Sequence, residues 1–169
     1  MEIERQFLVK TLPALPPEYE SLRQGYVAFL PEIRIRQIGE SRLTLTVKRG
    51  AGIVREEWKT EISRTEFDSF AAHLCPDTAM IEKRRYCIPL TDGYTAELHV
   101  HGGHLLGFSY VEIEFPTEQV ASGFEPPPWF GHEATEDVRF SYGALARKDG
   151  MEIVRQILNE QEWKFKDIP

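Results

Sequence analysis

Polar and apolar positions alternate with period two along much of this chain, starting at its first residues. Glu2, Glu4 and Gln6 share one parity, while Ile3, Phe7 and Val9 fall on the other, which is the pattern of a strand with one polar and one apolar face. The same alternation returns in Ile33-Arg34-Ile35-Arg36 and in Leu43-Thr44-Leu45-Thr46-Val47-Lys48. Single parities also collect Arg55, Glu57, Lys59 and Glu61, then Lys83 and Arg85, then Glu97, His99 and His101, then Glu112 and Glu114. The pattern predicts strands over residues 2–9, 26–38, 42–49, 53–62, 80–88, 94–101 and 108–116. Gly39-Glu40-Ser41, Gly50-Ala51-Gly52, Thr91-Asp92-Gly93 and His101-Gly102-Gly103-His104 supply hairpin chemistry between them, so the strands should form an antiparallel meander.

Helical signals are fewer. Ser63-Arg64-Thr65-Glu66 is a capping box ahead of Phe67, Phe70, Ala71 and Leu74, which predicts a short helix with one apolar stripe. Residues 117–122 predict a helical turn before Pro126-Pro127-Pro128, and Glu18-Tyr19-Glu20-Ser21-Leu22-Arg23 a short helix after a proline-rich loop. From Met151 to Trp163, Ile153, Val154, Ile157, Leu158 and Trp163 line one helical face, which should dock on the outside of the sheet. Trp129, Phe130 and Trp163 read as packing residues, and Tyr26 suits either packing or the mouth of a site. No internal repeat or linker interrupts residues 1–169, so a single domain is expected.

Composition narrows the reading. With 41% hydrophobic and 28% charged residues over 169 positions, the chain has enough apolar material to bury a core of its own. A net charge of −7 argues against a general nucleic-acid binder, although a local basic site is compatible with it. No apolar run is long enough to span a membrane, and the acidic start does not resemble a signal peptide, so a cytoplasmic location is expected. The only cysteines, Cys75 and Cys87, form no CxxC pair and predict no disulfide framework.

The polar parity is unusual in consisting mostly of long, fully charged side chains. If helices cover the apolar side of a closed sheet, these charges point inward and cannot stay unpaired. Glutamates at alternate positions would stand side by side, a repulsion that a hard divalent cation relieves. Arg34, Arg36, Lys48, Lys83 and Arg85 would supply donors to a polyanion, arginine forks matching phosphate oxygens. His99-Val100-His101 could present two metal ligands on one strand face, but no glutamate follows at the short spacing that such a site uses.

Glu2-Ile3-Glu4-Arg5, Gly25-Tyr26, Ile33-Arg34-Ile35-Arg36, Leu43 to Lys48, Arg55-Glu56-Glu57, Lys83-Arg84-Arg85-Tyr86, Tyr110 to Phe115 and Glu133 to Phe140 stand in the order found in the CYTH, or triphosphate tunnel metalloenzyme, superfamily. The chain resembles that superfamily over nearly its whole length. Pro126-Pro127-Pro128-Trp129 and Ala144-Leu145-Ala146 resemble its bacterial branch of inorganic triphosphatases. The resemblance implies an α+β fold, an eight-stranded antiparallel β-barrel with helices packed outside. It also implies hydrolysis of a triphosphate, chiefly inorganic tripolyphosphate, with Mg2+ or Mn2+. Adenylyl cyclase, thiamine triphosphatase and non-catalytic polyphosphate or nucleotide binding are its alternatives, and a homodimer is compatible with it.

Carried over by position, the resemblance makes Glu2, Glu4, Glu112 and Glu114 metal ligands. Arg34, Arg36, Lys48, Lys83 and Arg85 become substrate-binding residues, with Glu57 and Lys83 catalytic, and Lys59 is expected to join the substrate-binding set from outside the family pattern. Three positions depart from the family pattern: Gln6 replaces the lysine of ExExK, Lys59 stands where an acidic residue is common, and Glu97 replaces an aspartate. Lys59 is expected to point inward and to replace the missing first-strand cation.

Overall fold

A computed structural model describes residues 3–49 and 56–166, with side chains as far as residue 160. Nine strands form one wholly antiparallel sheet: β1 (Ile3–Val9), β2 (Glu20–Phe29), β3 (Glu32–Ile38), β4 (Arg42–Arg49), β5 (Glu56–Glu61), β6 (Ile81–Pro89), β7 (Thr95–His101), β8 (Ser109–Phe115) and β9 (Phe130–Glu133). Their order is β5-β4-β3-β2-β6-β7-β8-β1-β9. The sheet does not close: among the described residues β5 and β9 each pair on one side only, so the expected eight-stranded barrel is an open nine-stranded sheet. Closure depends on twist and curvature summed over all strands, which no local pattern encodes.

Strand pairing places every described residue of the charged parity on one face. Gln6, Glu112, Glu97 and Cys87 form one cross-strand row, followed by Leu8, Tyr110, His99, Arg85 and Glu20. Tyr26, Arg34, Thr46 and Lys59 form another row, and Glu32, Lys48 and Glu57 a further one. The opposite face carries two apolar clusters. There α1 (Arg64–Ala71), with its capping box formed as expected, buries Phe67 against Ile35 and Leu43. Gly25 allows the segment after α1 to approach β2, since a Cβ there would stand 2.7 Å from Leu74 Cδ2. At the other end of the same face, α2 (Glu118–Gly123) and Phe124 cover Phe7, Leu98, Val111 and Ile113.

The C-terminal segment departs from expectation. Instead of covering the outside of the sheet, α3 (Tyr142–Leu145) and α4 (Gly150–Lys166) pack at one end of the charged face, where Leu145, Val154 and Ile157 join Leu8, Tyr26, Ile81 and Tyr110 in a single core. The inward parity turns apolar at that end of β1, β2, β6 and β8, and burying those side chains outweighs covering an outer face that α1 and α2 already occupy. The stretch read as a helix over Glu18 to Arg23 belongs largely to β2, because Glu20 to Gln24 pair with Arg85 to Ile81. Trp129 packs against Phe130 as expected, whereas the Trp163 side chain and the Gly50-Ala51-Gly52 loop lie outside the described residues.

Candidate active site

Four cations crowd the middle of the charged face. Arg34 and Arg36 come from β3, Lys83 and Arg85 from β6, with β2 between them. Lys83 is 5% exposed. Burial, assisted by Arg36, Arg34 and Arg85, drives its pKa down to about 7, and Glu112 only partly opposes that shift. Burial and then Arg34 also lower the pKa of Arg36, whose Nη2 donates to Gln24 Oε1 at 3.1 Å. The Nε atoms of Arg34 and Arg36 are buried without a hydrogen-bond partner. Arg85 is engaged at the edge of the group, to Glu20 and to Glu97 Oε2 at 3.1 Å.

Carboxylates gather on the neighbouring strands. Glu112 accepts from His99 Nε2 at 2.9 Å and from Gln6 Nε2 at 3.5 Å. Burial alone would raise its pKa, yet His99, Lys83 and Arg36 hold it down at about 2. Glu112 is therefore an attracted carboxylate and not the repelled one that alternate glutamates suggest. Burial and the charge of Lys83 lower His99 to about 4, so its ring is neutral at pH 7, donates through Nε2–H and leaves Nδ1 bare. His101, lowered to about 3 chiefly by burial, donates Nδ1–H to the Phe108 carbonyl at 3.1 Å.

One ligand atom each from Glu97, His99 and Glu112 lies within 4.8 Å of the others. Glu4 and Glu114 are cross-strand partners on the same face, one rung beyond Gln6 and Glu112, and both are exposed. This donor set suits a divalent cation, with carboxylate oxygens dominant and one imidazole available. Glu2 lies outside the described residues.

The remaining candidates line the β4–β5 side. Lys48 pairs with Glu57 at 3.0 Å, and that contact and charge pull the Glu57 pKa down against the opposing effect of burial. Lys59 shares the face but is exposed on edge strand β5, and six strands separate it in sheet order from Gln6 on β1. Tyr26 is buried and stacked on Phe29, and burial pushes its pKa up to about 12. Pattern reading missed Gln24, Thr44 and Thr46, which share the inward parity and are buried on this face. It also missed Tyr142, whose ring lies over Lys83 Nζ at 3.9 Å. Parity identifies the first three, but Tyr142 belongs to a helix and carries no such signal.

No protein-family model matches the chain. It is 43% identical over 150 residues to a curated inorganic triphosphatase of Nitrosomonas europaea, the match covering 86% of this chain and 96% of that protein. The crystal structure of an inorganic triphosphatase superposes with a TM-score of 0.70 at 40% identity, covering 86% of this chain and 94% of that one. A Hippeastrum protein described as having a dominant triphosphatase activity shares the fold alone, at 14% identity and a TM-score of 0.52 over 73% of this chain and 83% of its own. An open antiparallel sheet with a cationic centre flanked by carboxylates, together with identity of this extent, leads to one assignment: the chain belongs to the inorganic triphosphatase branch of the CYTH, or triphosphate tunnel metalloenzyme, superfamily.

Proposed function

We propose that the protein hydrolyses inorganic tripolyphosphate to diphosphate and phosphate on the charged face of its sheet. The observation that carries this reading is the crowding of Arg34, Arg36 and Lys83, with Arg85 paired at the edge of the group and Arg34 Nε and Arg36 Nε buried without a hydrogen-bond partner. A fold that keeps such repulsion in place is arranged for a multiply charged anion, whose oxygens satisfy those donors. The 43% identical relative is named for this activity.

Arg34, Arg36, Lys83 and Arg85 bind the phosphates and stabilise charge on the transferred group. Lys48 and Lys59 extend the cationic surface toward β5. Water attacks the terminal phosphorus and the bridging P–O bond breaks, with diphosphate as leaving group. Lys83, its pKa lowered to about 7 chiefly by burial, is suited to give a proton to the departing oxygen at neutral pH. Glu57 is ionised at neutral pH and steadied by Lys48, so it can orient water by accepting its hydrogen bond. Glu4, Glu112 and Glu114, together with Glu97 and Glu2, would hold Mg2+ or Mn2+. When bound, such a cation supplies charge neutralisation at the phosphate oxygens.

Phosphate release from tripolyphosphate and from ATP, each with Mg2+, with Mn2+ and with chelator, tests the reading. Metal-dependent release that is faster from tripolyphosphate is expected. Cyclic AMP formed from ATP more readily than phosphate from tripolyphosphate would replace the reading with a cyclase.

A further inference from the structure

Tyr142 reaches the charged face from outside the sheet. It opens α3, where the Ser141 hydroxyl caps the turn by accepting from Ala144 N at 3.2 Å. The turn lies close to the end of β2, since a Cβ on Gly143 would stand 3.3 Å from the Phe29 ring. The ring delivered in this way lies 3.9 Å from Lys83 Nζ, with the rings of Tyr110, His101 and His99 at 5.9, 6.2 and 6.4 Å. Its hydroxyl is buried without a hydrogen-bond partner. The hydroxyl thus makes no contact of its own here, and the ring face is what the residue offers to Lys83.

The face of an aromatic ring suits Lys83 in a way that a carboxylate would not. A carboxylate would hold the ammonium by occupying its N–H donors and cancelling its charge. A π face attracts the cation through the ring quadrupole and leaves the donors free. That attraction adds to the pull of Glu112 on Lys83 and opposes the repulsion from Arg36, Arg34 and Arg85.

We propose that Tyr142 is a positioning residue for substrate: its ring face holds the Lys83 ammonium at the closed end of the charged face with the N–H donors turned to phosphate oxygens. The proposal rests on the triphosphatase reading above. It brings the C-terminal segment, which carries no charged-face strand, into the binding site.

Calorimetric titration with a non-hydrolysable tripolyphosphate, its bridging oxygens replaced by methylene, at fixed pH, salt and Mg2+ tests it on the parent, Tyr142→Phe, Tyr142→Leu, Lys83→Met and the Lys83→Met/Tyr142→Leu double variant. Tyr142→Leu is expected to weaken binding roughly 3- to 30-fold, the range of a partly desolvated cation–π contact. Tyr142→Phe, which keeps the ring face, restores most of that affinity. In the Lys83→Met background Tyr142→Leu adds no further loss, because the ring acts through the ammonium. Should Tyr142→Leu unfold, Tyr142→Met, of similar volume but unbranched and able to adapt to the gap without a π face, takes its place. Equal losses for Phe and Leu, or the same loss with and without Lys83, overturn the proposal while leaving the triphosphatase reading intact. Failure of the parent to bind this tripolyphosphate analogue overturns both.

Discussion

Replacing Lys83 by methionine should make the protein more stable and less active. The buried ammonium has a folded-state pKa of about 7 against an ordinary 10.5. Between those values the unfolded chain holds the proton that the folded chain releases, so stability rises with pH across the interval. The native lysine therefore destabilises the fold by up to about 4 kcal/mol at pH 7 and about 2 kcal/mol at pH 9. Methionine keeps the apolar stem beside Tyr142 and removes that cost. Urea denaturation of both proteins in chelator at pH 7 and pH 9 measures the difference. Lys83→Met should be the more stable at both, with the gap narrowing as pH rises, while tripolyphosphate turnover is lost. A variant less stable than the parent at pH 7, or a gap that does not change with pH, would refute the reasoning. Stability given up for a binding charge is the expected mark of a functional site.

Glu112→Gln should behave oppositely. Its carboxyl, held at about 2 against an ordinary 4.5, contributes stability that is fully present above pH 4.5 and lost as pH falls through about 2. Denaturation in chelator should show a loss of up to about 3 kcal/mol at pH 7 that is about 1 kcal/mol smaller at pH 3.5, and equal stabilities would return Glu112 to a cluster ruled by repulsion. Lys59→Ala and Gln6→Lys should act independently on turnover, since Lys59 is exposed and six strands separate it from β1 in sheet order. A double-mutant coupling above about 0.5 kcal/mol would instead support Lys59 as the replacement for the missing first-strand cation. Gly25→Ala should cost about 1–3 kcal/mol of stability through overlap with Leu74 and Met80, with kcat per folded molecule unchanged, which thermal unfolding and turnover assays check.

The charged face was legible because side-chain parity is local. Within each segment, provided that it is a strand, parity alone puts Glu4, Arg34 with Arg36, Lys48, Glu57, Lys83 with Arg85, and Glu112 with Glu114 on the polar side, and pairing joins those sides into one face. The residues from Glu18 to Arg23 show where that proviso failed. They are polar enough to pass for a short helix, and the cross-strand partnership of Glu20 with Arg85 makes that stretch part of β2. Strand β9, four residues long, likewise owes its existence to pairing with β1. The apolar end of the charged face was present in the sequence too, as the step from Gln6 to Leu8, from Lys83 to Ile81 and from Glu112 to Tyr110 along one parity.

By itself, then, the sequence determined the antiparallel strands, the side on which their charges stand and the polyanion chemistry that those charges suit. Each follows from a repeat of two residues and from the identity of the side chains. Tertiary structure decided which charges are costly. Lys83 and Arg85 have the same parity on the same strand, yet one is buried beneath Tyr142 with its pKa near 7 while the other is paired with Glu20 and Glu97. Charge energies depend on burial and on neighbours brought from distant parts of the chain, and strand periodicity carries neither.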